Sequence, residues 1–325
     1  MNLSKLKATR DGFGAAILEL GQENEQIVVL CADLRESLRL DQFAKNFPNR
    51  YVECGVAEQN MMGIGAGLAL AGKIPFIASF AVFNPGRNLD QLRVAVYSGL
   101  NMKIMGGHAG LSTGEDGATH QALEDLAIVC ALPNLTVVVP ADNEQSQILT
   151  KQIAINNGPC YLRLGRKKLE AIGDFVKSPE IVLGQAQVLL EGNDLTIFAC
   201  GLMVQESLKA ALEVKKLGIK VEVINLHTLK PLDEKAILHS ANKTAAVIVA
   251  SEHEINSGLN SLVIQTIAKA SGKEILHPVA IESIGTHSFG ESGKDSELLR
   301  KYGLDYLGII KKIKLVLEKK KKLNS

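Results

Sequence analysis

Charge of one sign is nearly absent as an excess: 36 lysines and arginines stand against 35 aspartates and glutamates in 325 residues, leaving a formal net charge of +1. Without a basic surplus the chain has no field to gather polyanions, so nucleic acid is set aside as a partner. The five cysteines (Cys31, Cys54, Cys130, Cys160 and Cys200) are odd in number and scattered, with no CxxC pair. That removes a disulfide framework and reads as small buried hydrophobes in a reducing compartment. The start, MNLSKLKATR, lacks the apolar core of a signal peptide, so a cytoplasmic chain is expected. A membrane span is also missing: Met61 to Phe83 is broken only by Lys73 among charged residues, but Gly72 and Pro75 divide it into helix, turn and strand. Tryptophan is absent and aromatics reach only 4%, while 46% of residues are hydrophobic, enough at this length for two domains with full cores.

What is present centres on Tyr51 to Gly72, YVECGVAEQNMMGIGAGLALAG. From Met61 to Gly72 there is no charge and little bulk, which predicts a helix buried on every face with Glu58 at its mouth. Ionising a carboxylate in such surroundings costs several kcal/mol unless a partner is supplied, so a shifted pKa or a dedicated hydrogen bond is the usual outcome. Glu58 is therefore a site candidate; the plain alternative is a carboxylate facing the positive end of the helix. Gly63, Gly65 and Gly67 imitate half of a dinucleotide fingerprint. They lie inside the helix rather than in a turn after a strand, so they read as close-packing positions.

The rest of the first half alternates strand and helix. Leu6 to Leu20 has helical spacing and Gly21 is a natural stop. Gln26 to Cys31 is a strand buried on both faces, and Asp33 at its carboxyl end is either a site residue or a turn former. Ile74 to Phe80 is the next strand; Phe80 and Phe83 form either a flat apolar wall or ordinary core packing. Asn84 to Arg87 turns into a helix ending near Gly99, and Met102 to Met105 forms a further strand. It runs into the most polar loop, GGHAGLSTGEDGATHQALED from Gly106 to Asp125, with five glycines, His108, His120, Glu115 and Asp116. Ordering so glycine-rich a loop is entropically costly, which points to ligand contacts. No short HxH or HxxxH pair fixes two ligands on one element, so a metal held by this chain alone is not expected.

Leu135 to Val139 is a strand, Asp142 and Gln145 a capping pair for the next helix, and Pro159 to Leu164 a last strand with Arg163 and Arg166 at its carboxyl end. Lys167 to Gly184 reads as a linker. Strands near Leu195 to Ala199, Lys220 to Ile224, Ala246 to Ala250 and Pro278 to Glu282 then make a second, smaller unit. The tail EKKKKLNS is a solvated helix end. The fold class is α/β, two domains, each with a mostly parallel sheet flanked by helices.

GVAEQNM at Gly55 to Met61, GEDGATHQ at Gly114 to Gln121 and PNLTVVVPAD at Pro133 to Asp142 resemble the carboxyl-terminal half of transketolases, thiamine diphosphate enzymes of pentose and other sugar phosphate metabolism. ATR at Ala8 to Arg10, ADL at Ala32 to Leu34 and FGESGK at Phe289 to Lys294 fit as well. The resemblance implies a pyrimidine-binding domain over residues 1–166, a linker over 167–184 and a transketolase C-terminal-like domain over 185–325. It implies that Glu58 hydrogen-bonds the ring nitrogen of the cofactor's aminopyrimidine and stabilises its imino tautomer. Phe80 and Phe83 resemble the ring wall against the pyrimidine, and Asp33 an aspartate beside the cofactor. Asp116 resembles the reader of a substrate hydroxyl, and His120 a residue near the cofactor's amino group and the substrate carbonyl. Arg10, Ser37, His108 and Arg166 occupy positions that hold the sugar phosphate.

Three departures stand out. Ala57 replaces a common arginine, as in deoxyxylulose phosphate synthases, and a third aromatic is lost at Gly86. The family's GDG and paired-asparagine motif for magnesium and diphosphate is also missing; Asn156 and Asn157 lack the upstream partner and read as a helix end. The resemblance therefore implies a split enzyme. A separate N-terminal subunit would bring magnesium and the diphosphate grip, with active sites between the chains of an α2β2 heterotetramer. The rivals are the β subunit of a 2-oxo acid dehydrogenase, a deoxyxylulose phosphate synthase-like enzyme, and an inactive regulatory module.

Overall fold

The structure is a computed structural model that describes residues 6–175 and 180–323. Strand β1 (Ile27–Cys31) is buried throughout and feeds two cores at once. Val28 and Leu30 point to one face, and Ile27, Val29 and Cys31 to the other, as the two-residue period of a strand requires. Around it forms a seven-stranded sheet in the order β10 (Thr228–Lys230), β5 (Thr136–Val138), β6 (Cys160–Arg163), β4 (Lys103–Gly107), β3 (Ile74–Phe80), β1 and β2 (Tyr51–Glu53). Every pairing is parallel except β10 on β5. Helices α1 (Thr9–Glu23), α2 (Asp41–Asn46) and α6 (Asn143–Ile155) cover one face; α3 (Glu58–Leu70), α4 (Leu89–Tyr97) and α5 (Asp125–Ala131) cover the other.

The second sheet has five strands, ordered β12 (Ala280–Thr286), β11 (Ala246–Glu254), β8 (Leu195–Ala199), β9 (Val221–Asn225) and β7 (Gln187–Leu190). Only β7 runs antiparallel to its neighbour. Helices α7 (Leu202–Lys215), α10 (Asp295–Lys301) and α11 (Tyr306–Leu323) pack its outer face. On its inner face, α8 (Glu234–Thr244) and α9 (Gly258–Ala270) share one continuous core with α3, α4 and α5. All five cysteines are unpaired, and Cys31, Cys160 and Cys200 are buried. Among the described residues no helix is long and apolar enough to cross a membrane.

Several expectations change. Helix α1 begins at Thr9 rather than Leu6 and does not stop at Gly21. A Cβ there would meet Phe47 at 2.6 Å and Phe43 at 2.7 Å, so this glycine lets α1 approach α2 instead of ending the helix. Strands β2, β7 and β10 were not foreseen; at three or four residues they are too short to show a two-residue period. Because β10 joins the first sheet, chain from beyond the linker completes that sheet. The expected linker includes a 3-10 turn at Ile172–Asp174 and overlaps residues 176–179, which lie outside the described residues.

The largest correction concerns α3. Only Glu58, Met61, Met62 and Gly65 of its 13 residues are buried, and Leu70 is 75% exposed. Gly65 is a true close-packing position, with a Cβ 2.3 Å from Ile77, whereas Gly63 and Gly67 face open space. Apolar composition says that a face seeks cover, not which chain supplies it.

The cap of α6 is as expected on one side: Gln145 N–H donates to Asp142 Oδ1 at 2.8 Å. The other side differs, since Gln145 Oε1 accepts from Ala141 N–H and from Asn225 Nδ2 on β9, both at 3.0 Å. Asp142 Oδ2 also accepts from Ile172 N–H at 2.7 Å, so one buried carboxylate holds a helix start and the chain leaving the first sheet. Asp142→Ala should lower stability by about 2 kcal/mol, the sum of a lost cap and a lost charge-assisted bond, while Asp142→Asn should lose less than half of that. Thermal unfolding of the two variants checks this.

Candidate active site

Parallel strands place their carboxyl ends together, and the candidate residues follow those ends. Asp33 follows β1, Glu58 follows β2 and opens α3, Phe80 and Phe83 end and follow β3, His108 follows β4, and Arg166 follows β6. Crevices of this kind are where open α/β sheets bind ligands.

Glu58 is 3% exposed at the first position of α3. Its carboxylate is not alone: Arg87 Nη1 donates to both oxygens, at 2.9 Å and 3.0 Å. The same guanidinium lies 3.9 Å over the Phe83 ring, a cation–π contact. Asn88 Nδ2 donates to the Glu58 carbonyl at 3.3 Å. The buried acid thus has the dedicated hydrogen-bond donor that its burial demands. Arg87 remains 46% exposed, so the cation reaches solvent while the carboxylate does not. Sequence reasoning passed over Arg87 as part of a turn. The signal lay in its spacing, four residues after Phe83, where the Arg87 N–H donates to the Phe83 carbonyl at 2.9 Å.

Phe83 stacks near-parallel with Phe80 at 6.0 Å. Both rings also belong to core packing, Phe80 buried in the core of the first sheet and Phe83 packed against it, and His120 meets Phe80 and Phe83 edge-on, at 6.1 Å and 5.5 Å. On the other side of Phe80, His108 stacks at 3.9 Å. His108 is buried, has a left-handed φ of +51° and accepts at Nε2 from Arg10 Nη1 at 3.0 Å. Burial above all, then the Arg10, Arg166 and Arg39 guanidiniums, push its pKa down to about 3. The ring is thus neutral with its proton on Nδ1, a buried atom with no partner.

Arg10 Nη1 also donates to the backbone carbonyl of Ser37 at 2.9 Å, so Ser37 contributes its main chain here. Arg166 Nη1 donates to Asp116 Oδ2 at 3.0 Å and to the Thr113 carbonyl at 3.1 Å, with Glu115 at 3.5 Å. Glu58, Arg87, Phe83, Phe80, His108 and Arg10 form one chain of contacts with His120 edge-on to both rings, and Arg166 with Asp116 borders it. Asp33 stands apart: its φ is +59° and its N–H donates to Glu53 at 2.7 Å, but no contact joins it to the others. Among the described residues no group of three or more His, Cys, Asp or Glu side chains is arranged to hold a metal ion.

A two-sheet α/β chain with an acid, a ring wall and cations at its strand ends defines a class that comparison makes specific. Residues 5–171 match the family "Transketolase, pyrimidine binding domain" and residues 184–309 match "Transketolase, C-terminal domain". The chain belongs to the transketolase family. It is 41% identical to a putative transketolase C-terminal section of Methanocaldococcus jannaschii, covering 94% of this chain and 95% of that protein. It is 37% identical to one of the subunits of the apulose-4-phosphate transketolase of Phocaeicola vulgatus, covering 94% and 96%. Human transketolase is 34% identical over 92% of this chain, but only 47% of its own length. A solved split-gene transketolase, described as an inactive beta4 tetramer, superposes with a TM-score of 0.86 at 40% identity, covering 96% of this chain and 98% of that one.

The His108 imidazole should show no titration between pH 5 and 8 when its ring protons are followed by NMR. Arg10→Ala should move its pKa upward, while burial should keep it below the ordinary histidine value.

Proposed function

We propose that the chain is the C-terminal subunit of a thiamine diphosphate-dependent transketolase that moves a two-carbon ketol unit from a ketose phosphate to an aldose phosphate, together with a separate N-terminal subunit. The carrying observation is Glu58, a buried carboxylate beside two stacked rings at a strand-end crevice. A carboxylate and a flat apolar wall fit the pyrimidine half of the cofactor. The chain carries no GDG motif for the cofactor's metal-bound diphosphate half, which supports a second chain as the source of that grip. The partner would therefore supply magnesium and the diphosphate grip, in an α2β2 assembly.

When bound, the cofactor supplies the nucleophilic carbon that carries the two-carbon unit. Glu58 would hold the pyrimidine ring nitrogen and share its proton, for which Arg87 would yield part of its hold on that carboxylate. Phe80 and Phe83 keep water from the ring, and Asp33 borders the cofactor. His120, edge-on to both rings, would be the group to face the cofactor's amino group and the substrate carbonyl, and Asp116 would read a substrate hydroxyl. Arg10, His108, Arg166 and the Ser37 segment hold the phosphate; the neutral His108 ring offers its unpartnered Nδ1–H, and Arg166 exchanges Asp116 for phosphate. These cations also weigh against a 2-oxo acid dehydrogenase β subunit, whose substrate carries no phosphate. Residues 1–166 act as the pyrimidine-binding domain, 167–184 as the linker and 185–325 as the C-terminal-like domain. Five unpaired thiols support the cytoplasm as the place of work.

The uncovered α3 and α4 face supports the need for a second chain. Val56, Leu70, Val94 and Tyr97 are exposed there by 68%, 75%, 55% and 89%. The relative described as an inactive beta4 tetramer supports inactivity without a partner.

Mixed with the N-terminal subunit, magnesium and thiamine diphosphate, the chain should transfer a ketol unit between sugar phosphates, and alone it should not. Glu58→Ala should lower the rate of the assembled pair by at least about 100-fold. Activity of the isolated chain, or a rate untouched by Glu58→Ala, would overturn the reading; dependence on pyruvate would point to deoxyxylulose phosphate synthesis instead. Gly63→Arg should leave the chain folded, because a Cβ there meets nothing within 4 Å, yet stop assembly when followed by size-exclusion chromatography.

A further inference from the structure

The loop that carries His108, Asp116 and His120 is fastened from below by the second unit. Gln121 Nε2 donates to the Glu291 carbonyl at 2.9 Å, and Ser292 Oγ donates to the Glu115 carbonyl at 2.6 Å. The deepest fastening is Glu252, near the end of β11, whose Oε1 accepts from Ser112 N–H. Glu252 is buried, and its carboxylate lies so close to the loop that a Cβ on Gly110 would come within 2.4 Å of it. Gly110 also has a φ of +85°, so sterics and backbone both demand glycine at this crossing. Ser112 Oγ is buried beside it without a partner, on a cavity of about 20 Å³, room for about one water, lined also by Thr9, Arg163 and Lys167.

We propose that Glu252 is a positioning residue for the reaction loop: from the second unit it sets how firmly the segment bearing His108, Asp116 and His120 is held closed. It touches none of the reacting groups and acts through Ser112 and Gly110. The inference holds whatever reaction the loop serves, because it concerns the loop's own opening.

Charge decides the direction. The charged groups acting on Glu252 are Arg163 on β6 and Lys167 after it, with Cys200 close by; Asp125 on α5 pairs with Arg163, and His253, the next residue of β11, lies against Asp125. Burial outweighs Arg163 and the Ser112 hydrogen bond and raises the Glu252 pKa to about 7. His253 is pushed down to about 4 and Cys200 up to about 11 by burial, so both stay neutral near pH 7. An acid whose pKa is raised when enclosed favours the enclosed state in its protonated form. Closure is therefore firmest below the ordinary glutamate pKa and weakens as pH climbs to about 7, with no further change above.

Hydrogen exchange of the full chain, read by mass spectrometry on residues 106–121 and corrected for the intrinsic pH dependence of exchange, tests this. Protection of the loop should fall by about 100-fold between pH 4.5 and 7 and then level off. Glu252→Gln, the same shape without the proton, should remove that fall and leave the loop more protected than wild type at pH 7.5. A flat wild-type profile would overturn the proposal, and so would a slope that survives in Glu252→Gln, since it would belong to another group. The wild-type profile decides even if the variant does not fold. Neither result depends on ketol transfer, so the functional reading stands or falls separately.

Discussion

A carboxylate enclosed away from water must be answered by a donor, and Glu58 shows how much structure that demand recruits. Its two oxygens take one Arg87 nitrogen, and that guanidinium is in turn braced over Phe83. Phe83 stacks on Phe80, and Phe80 on His108. His108 is kept neutral by burial and by the cations around it. An acid, a cation, two rings and an imidazole thus form one relay of contacts, each with its orientation fixed by the next. Removing the acid would leave Arg87 without its partner and the rings without a reason for their order.

The two sheets share in building this arrangement. The first sheet positions strand ends, and the second reaches across through Glu252, Glu291 and Ser292 to hold the loop between β4 and α5. Gln145 is part of the same joint: it accepts from Ala141 N–H just before α6 and bonds Asn225 and Gln187 in the second sheet. The second unit is therefore structurally committed to the crevice. A loop rich in glycine pays its ordering entropy through such fastenings rather than through packing of its own.

Much of this was legible in the residues. Glu58 stood out because an acid heads a charge-free run, and the polar loop stood out because so many glycines are expensive to order. Strands β3 and β8 match their expected ranges because runs that are apolar or β-branched at every position but Ser79 leave little choice. Arg87 was hidden, since an arginine in a turn has many possible partners and only the bend after β3 selects Glu58. Glu252 was hidden for the same reason: its partner Ser112 is 140 residues away in sequence.

The sequence by itself determined the alternation of strand and helix and the two-sheet class, because period, burial tendency and turn chemistry are local properties, and it singled out Glu58 and the polar loop as candidates. Only the tertiary structure decided which cation answers Glu58, that Ser37 offers its carbonyl, that β10 completes the first sheet and that one face of α3 stays uncovered. Those are pairings between distant parts of the chain. They are selected by geometry after collapse, and no local pattern of residues encodes them.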